Sequence, residues 1–382
     1  MDPTLASTMY SSIFISKITN NSPSTIGSGP YEDNTFSGPT SNPVLNNQSL
    51  PENLTNCSFE KGSPMLPWNV LTTVFYAVVI LLGVVGNALV ISTVVRRSDI
   101  RSPCNLLLAN IAAADFAVVV FPTPVRILEL YFGWPLGKWG CHILFPIQDV
   151  LVTVSVVTHT AIALERHRAL TCPFKLKLSR KKVKQILLSI WATCYTLIGL
   201  PQSVFSRFAK WRGKSYCWPQ WPNWPSTAKD FRVGYEIFLV SVFIAVPLLI
   251  QTFSYTKVIR ILKVKNKLGR IHYRCDSYET GFSMRCSQYK ERIRKKRKLV
   301  RMLVVLVALF QVCYIPRGAA MLLCEFVPGL HHSSAFSNID RVIMILYYIK
   351  HVVNPVILWF MSRDFHSSFL SVAACARFPR RR

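Results

Sequence analysis

Residues 158–177, THTAIALERHRALTCPFKLK, carry an apolar run into Glu165-Arg166-His167 and then directly into a basic segment. An acid–base pair at the end of an apolar helix, followed by lysines, reads as a helix arriving at a membrane face and not as the core of a soluble domain. The composition agrees. The chain of 382 residues is 51% hydrophobic and only 16% charged, against about 25% charged in an ordinary soluble domain. Working outward from 158–177, seven apolar stretches stand at about 68–95, 104–131, 141–165, 184–205, 233–259, 300–325 and 341–361. Each is close to the ~20 residues that a ~30 Å hydrocarbon core requires. The first contains VFYAVVILLGVVGNALVISTVV, which has no charge. The expected fold is all-α, a bundle of seven transmembrane helices.

A net charge of +27 would suit a nucleic-acid-binding protein, but its distribution points elsewhere. Residues 96–101, 166–184 and 257–301 and the segment after 361 together hold 32 of the 45 Lys and Arg. All four lie on one side of a seven-span chain. Basic loops mark the cytoplasmic side, and they also meet anionic lipid. The first 60 residues hold one lysine, Lys17, against five acids. This places the N-terminus outside and the C-terminus inside, and nucleic acid is not an expected partner.

The expected organisation is a disordered, glycosylated extracellular segment 1–67, a membrane domain 68–361 and a cytoplasmic segment 362–382. The start MDPTLASTMYSS lacks the basic start and apolar core of a signal peptide. Ser, Thr, Asn, Pro and Gly dominate the N-terminal segment, a composition that cannot bury a core. It carries Asn-x-Ser/Thr sequons at Asn20, Asn47, Asn53 and Asn56. Four of the eleven cysteines face outward in this topology: Cys57, Cys141, Cys217 and Cys324. An even number suits an oxidising compartment. Cys141, at the outer end of the third helix, is paired with Cys217 of the loop WRGKSYCWPQWPNW. Cys57 and Cys324 form a second bridge or remain thiols. Cys375, near basic residues, is a palmitoylation candidate or an unmodified cysteine.

An intramembrane charge costs about 2.5–3.5 kcal/mol, and such residues tend to be functional. Asn87, Asp115, Ser155 and Asn354 fall at similar depth in the first, second, third and seventh helices. They read as one buried polar cluster, with four locally satisfied side chains as the alternative.

Asn87 in GNALV, Asp115 in AAADF, Cys141, Glu165-Arg166-His167, Trp191, Pro247 with Tyr255, FQVCYIP at 310–316, NPVIL at 354–358 and Phe365 occur in order, distributed over the seven helices and the segment beyond them. In this set the chain, over about 68–372, resembles the rhodopsin-like (class A) G-protein-coupled receptors. Arg166 lies 25 residues after Cys141, roughly 37 Å at 1.5 Å per residue, so the third helix spans the membrane. The resemblance implies that Arg166 is held by Glu165 when idle and freed to meet a heterotrimeric G protein. Arg suits that role, being always charged and carrying a fork of donors. The resemblance further implies switch roles for Tyr255, Pro316, Asn354 and Pro355.

Four positions depart from the family pattern. Tyr314 stands where a Trp is usual, and Leu358 where a Tyr is usual, removing a hydroxyl linked through water toward Tyr255. The basic run RIRKKRKLVR replaces an acid that would face Arg166, so Lys296 repels it and raised basal activity is one outcome. In the family Asp115, Ser155 and Asn354 resemble sodium ligands, completed by a residue four before Asn354. Here that residue is Lys350. The expectation is a Lys350–Asp115 ion pair in place of a sodium ion, the alternative being a Lys350 turned to another helix face.

An amine receptor of this family has Asp where this chain has Gln148, and an opsin has its Schiff-base lysine where this chain has Tyr348. A peptide ligand fits better. The loop 206–232 carries Trp211, Trp218, Trp221 and Trp224, and aromatic surfaces suit peptide partners, although tryptophans also anchor at membrane interfaces. Glu129, Asp149, Glu236, Glu325 and Asp340 ring the expected mouth with Arg126 and Arg317. The segment LERHRALTCPFKLKL is similar to receptors for Arg-Phe-amide neuropeptides. For such a ligand Asp149 or Glu236 takes the guanidinium and Tyr314 and Tyr348 the Phe, whereas Arg317 argues for an anionic group. The rival readings are a non-signalling or constitutively active receptor of the same fold, a receptor for a small anionic or amine ligand, and a seven-helix transporter. No nucleophile–base pair or metal-ligand spacing is present, so neither enzymatic activity nor a cofactor or metal is expected. SRDFHSSFL reads as a short amphipathic eighth helix on the plasma membrane, with Phe365 and Phe369 on one face.

Overall fold

The computed structural model describes residues 65–98, 101–171, 178–211, 213–220, 228–275, 282–327, 330, 333–362, 365–367 and 369–371. Among them seven helices are long and apolar enough to cross a membrane. They are Trp68–Arg96, Pro103–Phe132, Gly137–Thr171, Arg180–Phe205, Phe231–Val264, Arg297–Cys324 and Ala335–Met361, called here the first to seventh spans. The expected centres hold. The third and fifth spans run past the apolar windows because their charged extensions keep helical backbone outside the hydrocarbon layer.

Local chemistry sets where the spans start and bend. Ser102 caps the second span through its hydroxyl, which accepts from Asn105 N at 3.2 Å, and Pro103 takes the first turn, where no N–H is needed. Ser179 caps the fourth span in the same way. Phe121 breaks the regular helix just before Pro122. The fourth and fifth spans contain single π-turns, Tyr195–Gly199 and Ser241–Ala245, each directly upstream of a proline, Pro201 and Pro247. Pro146, Pro316 and Pro355 lie inside the third, sixth and seventh spans.

The bundle is inside-out relative to a soluble fold on its outer face. Leu81, Leu188, Leu249 and Phe360 are exposed, as lipid-facing side chains must be. Valines, leucines and isoleucines of the second, third and seventh spans fill the interior. The first and seventh spans approach closely at Gly86, where a Cβ would meet Pro355 Cγ at 2.7 Å.

After the fourth span the chain forms an antiparallel hairpin, β1 (Ser206–Trp211) and β2 (Lys214–Pro219), with Phe208 opposite Cys217. Gly213 turns it with φ 77°. The Cys141–Cys217 disulfide ties β2 to the start of the third span, and Trp134 N donates to Ser215 O at 2.7 Å. Beyond the seventh span, residues 365–367 and 369–371 are helical. Phe365 and Phe369 are buried there, the latter stacked on Trp359.

Candidate functional site

The hairpin end of the bundle contains a cavity of about 160 Å³. Spans two to seven and β2 contribute its wall. Gln148, Asp149, Glu236, Tyr314 and Arg317 line it, with Arg126, Gln202 and Tyr347. Three residues expected at the mouth lie behind that wall and require correction. Glu129 is buried against Arg126 Nη1 at 2.7 Å, and Asp340 is buried with Arg317 Nη1 at 3.5 Å. Tyr348 is fully buried, packed edge-on against Tyr76 at 4.9 Å. Its neighbour Tyr347 faces the cavity, because one residue turns a helix by about 100°. Asp149 Oδ2 accepts from Gln202 Nε2 at 3.0 Å.

Deeper in the bundle, Asp115 gathers the expected cluster. Asn354 Nδ2 donates to Asp115 Oδ2 at 2.5 Å, and the Ser155 hydroxyl lies 3.4 Å from Oδ1. Asn87 Nδ2 donates to the carbonyls of Gly83 and His351 at 2.8 and 2.9 Å. The expected Lys350–Asp115 pair is not formed. His351 Nδ1 takes Asp115 Oδ1 at 2.8 Å instead. Lys350 is buried, and Nζ makes no hydrogen bond. It points at three rings, with centroid distances of 5.0 Å to Phe310 and 5.8 Å to both Tyr314 and Tyr347. Residues three and four before Asn354 share one helix face. The shorter imidazole reaches the acid, while the longer ammonium finds the negative faces of the rings.

Two polar links were not legible as such. Gln311 Nε2 donates to Gln251 Oε1 at 2.9 Å, and Gln251 Nε2 donates to Thr160 Oγ1 at 2.8 Å, tying the sixth, fifth and third spans. Trp191 Nε1 donates to Asn110 Oδ1 at 2.9 Å, and Asn110 Nδ2 to Thr158 Oγ1 at 3.0 Å, tying the fourth, second and third. The available signals were amides at mid-span depth and, for the second link, Trp191 as a motif residue.

At the far end of the third span, Arg166 Nε donates to Glu165 Oε2. Leu358 is buried among Tyr255, Ile357 and Phe365 in the apolar core. The Tyr255 hydroxyl, also buried, has no hydrogen-bond partner. The Lys296 side chain, the sequons at Asn20, Asn47, Asn53 and Asn56, Cys57 (and with it a second bridge to Cys324) and Cys375 lie outside the described residues.

Comparison with known proteins adds a family. The profile described as 7 transmembrane receptor (rhodopsin family) matches residues 86–358. The chain is 26% identical over 323 residues to the QRFP-like peptide receptor of Branchiostoma floridae, covering 80% of this chain and 78% of that protein. It is 27% identical over 326 residues to the human neuromedin-K receptor, covering 80% and 65%. It is 27% identical over 334 residues to the substance-P receptor of Meriones unguiculatus, covering 85% and 77%.

Proposed function

Because the chain belongs to the rhodopsin family of seven-transmembrane receptors, we propose that it admits a neuropeptide to the hairpin-capped cavity and answers through Arg166. It is a multi-pass receptor of the plasma membrane, with a peptide ligand and a heterotrimeric G protein as partners. The N-terminus lies outside, as the basic loops require, and its sequons carry glycans. The disulfide-tethered hairpin forms one wall of the ligand entrance.

One observation carries the reading. Six spans and β2 converge on a single cavity of mixed charge and aromatic lining, which suits a peptide with several chemical groups. Asp149 precedes Arg166 by 17 residues, roughly 25 Å along the same helix. The third span therefore connects the ligand end to the G-protein end, with the Asp115 cluster between them. Gln148 offers a neutral amide where the amine receptors of the family have an Asp.

The test is G-protein activation in cells expressing the intact chain, challenged separately with a pool of amidated peptides and a pool of amines. A peptide response that disappears in Arg166→Ala, with both proteins at the cell surface, is expected. A response to amines alone, or silence to both pools at confirmed surface expression, would overturn it.

A further inference from the structure

The cavity wall carries two cations, Arg126 and Arg317, and two acids, Asp149 and Glu236. Taken by sign alone it recognises nothing in particular. The partners break the symmetry. Arg126 is held at 2.7 Å by Glu129, and Arg317 at 3.5 Å by Asp340. Both carboxylates are buried behind the wall. A ligand anion that drew either arginine away would strand a buried acid, and that makes the arginines poor anion receptors.

Asp149 is placed differently. Its one hydrogen bond comes from the neutral amide of Gln202, and among the described residues no Lys, Arg or His lies within ion-pair distance of it. The amide orients the carboxylate without cancelling its charge. Gln202 is only 8% exposed and also lines the cavity, and its Oε1 has no hydrogen-bond partner. This corner therefore offers acceptors whose capacity is unfilled: a second carboxylate oxygen and an amide oxygen. Their complement is a cation with several donors. A guanidinium has five N–H groups in a fixed fork, and an ammonium three. Tyr314 and Tyr347 on the same wall supply aromatic surface of the kind a cation favours. Lys350 stands outside the lining, against those two rings and Phe310, so its charge does not occupy the corner.

We infer that Asp149, oriented by Gln202, receives a cationic side chain of the peptide ligand. The inference rests on the peptide-receptor reading and narrows it to peptides with a basic residue, against the anionic ligand that Arg317 alone suggests. Asp149 is the contact residue and Gln202 a positioning residue.

The test uses the intact chain in cells and a library of short amidated peptides, each made in four forms with arginine, lysine, citrulline or glutamate at one position. Citrulline keeps the shape of arginine and removes its charge. Active members are expected to lose about 30-fold or more in potency on going from arginine to citrulline, a size consistent with a hydrogen bond to a charged group. Asp149→Asn, which preserves size, brings the arginine form down to the citrulline form and leaves the citrulline form where it was. Gln202→Leu weakens the arginine form selectively. Asp149→Lys restores response to members carrying glutamate at that position, a result that a merely structural role for Asp149 does not produce. Equal potency of arginine and citrulline forms, or an unchanged response in Asp149→Asn, overturns this inference and leaves the peptide reading standing. Silence to every peptide at confirmed surface expression overturns the peptide reading and this inference with it.

Discussion

Lys350 Nζ lies 5.0 Å from the Phe310 ring centroid and makes no hydrogen bond. A buried ammonium that contacts rings and no oxygen carries a large desolvation cost, several kcal/mol, against a gain of about 0.5–2 kcal/mol from a cation–π contact. The bundle holds this charge at a net cost, with Asp115 nearby but bonded to other groups.

Lys350→Met should therefore stabilise the protein. Methionine keeps the unbranched stem and packs against aromatic rings. The expected outcome is a thermal midpoint in detergent a few degrees above wild type, while Lys350→Ala, which leaves a void, falls below it. A lowered midpoint for Lys350→Met would mean that the ammonium is net stabilising.

His351 should matter more to stability than Lys350. Its imidazole and the Asp115 carboxylate are both fully buried, so His351→Leu leaves an acid short of a donor. A loss of about 1–3 kcal/mol is expected. Asp115→Asn in the His351→Leu background should recover part of it, since a stranded amide is less costly than a stranded charge. Thermal unfolding of the two single variants and the double variant measures the coupling.

The Gln311–Gln251–Thr160 chain predicts strong non-additivity. Gln251→Leu strands Gln311 Nε2, while the Thr160 hydroxyl still donates to Val156 O at 3.1 Å, and should cost about 1–3 kcal/mol, whereas Gln251→Leu with Gln311→Leu should cost far less, because both sides of the shared bond become apolar. Additive losses would show that the two amides act independently.

The disulfide closes a segment with a sequence separation of 76 residues between Cys141 and Cys217. Removing such a bridge costs about 2–5 kcal/mol. Cys141→Ala, Cys217→Ala and the double variant should reduce surface expression equally. A double variant worse than either single one would indicate a separate packing role for one of the buried half-cystines.

The seven spans, the Asp115 cluster and the third-helix arginine were legible because bilayer thickness forces long apolar runs and makes each polar exception conspicuous. Which neighbour meets Asp115 was not. His351 and Lys350 share a face at three and four residues from Asn354, and only side-chain reach and the position of Phe310 separate them. Tyr347 was missed in favour of Tyr348 for a related reason, a rotation of one residue that depends on how the seventh span packs against Tyr76. Glu129 and Asp340 are acids near the right depth, yet their arginine partners pull them behind the cavity wall, and no linear pattern records that choice. Trp191 was legible as a motif, but its bond to Asn110 was not.

The most direct measurement of the central claim is peptide-stimulated nucleotide exchange on purified heterotrimeric G protein by the full chain in lipid nanodiscs, beside peptide binding to the same preparation. The account predicts that an active peptide accelerates exchange in wild type. It predicts that Arg166→Ala abolishes the acceleration while still binding the peptide, and that Tyr347→Ala weakens binding itself. Undiminished exchange in Arg166→Ala, or unchanged binding in Tyr347→Ala, would contradict a signal carried from this cavity along the third span.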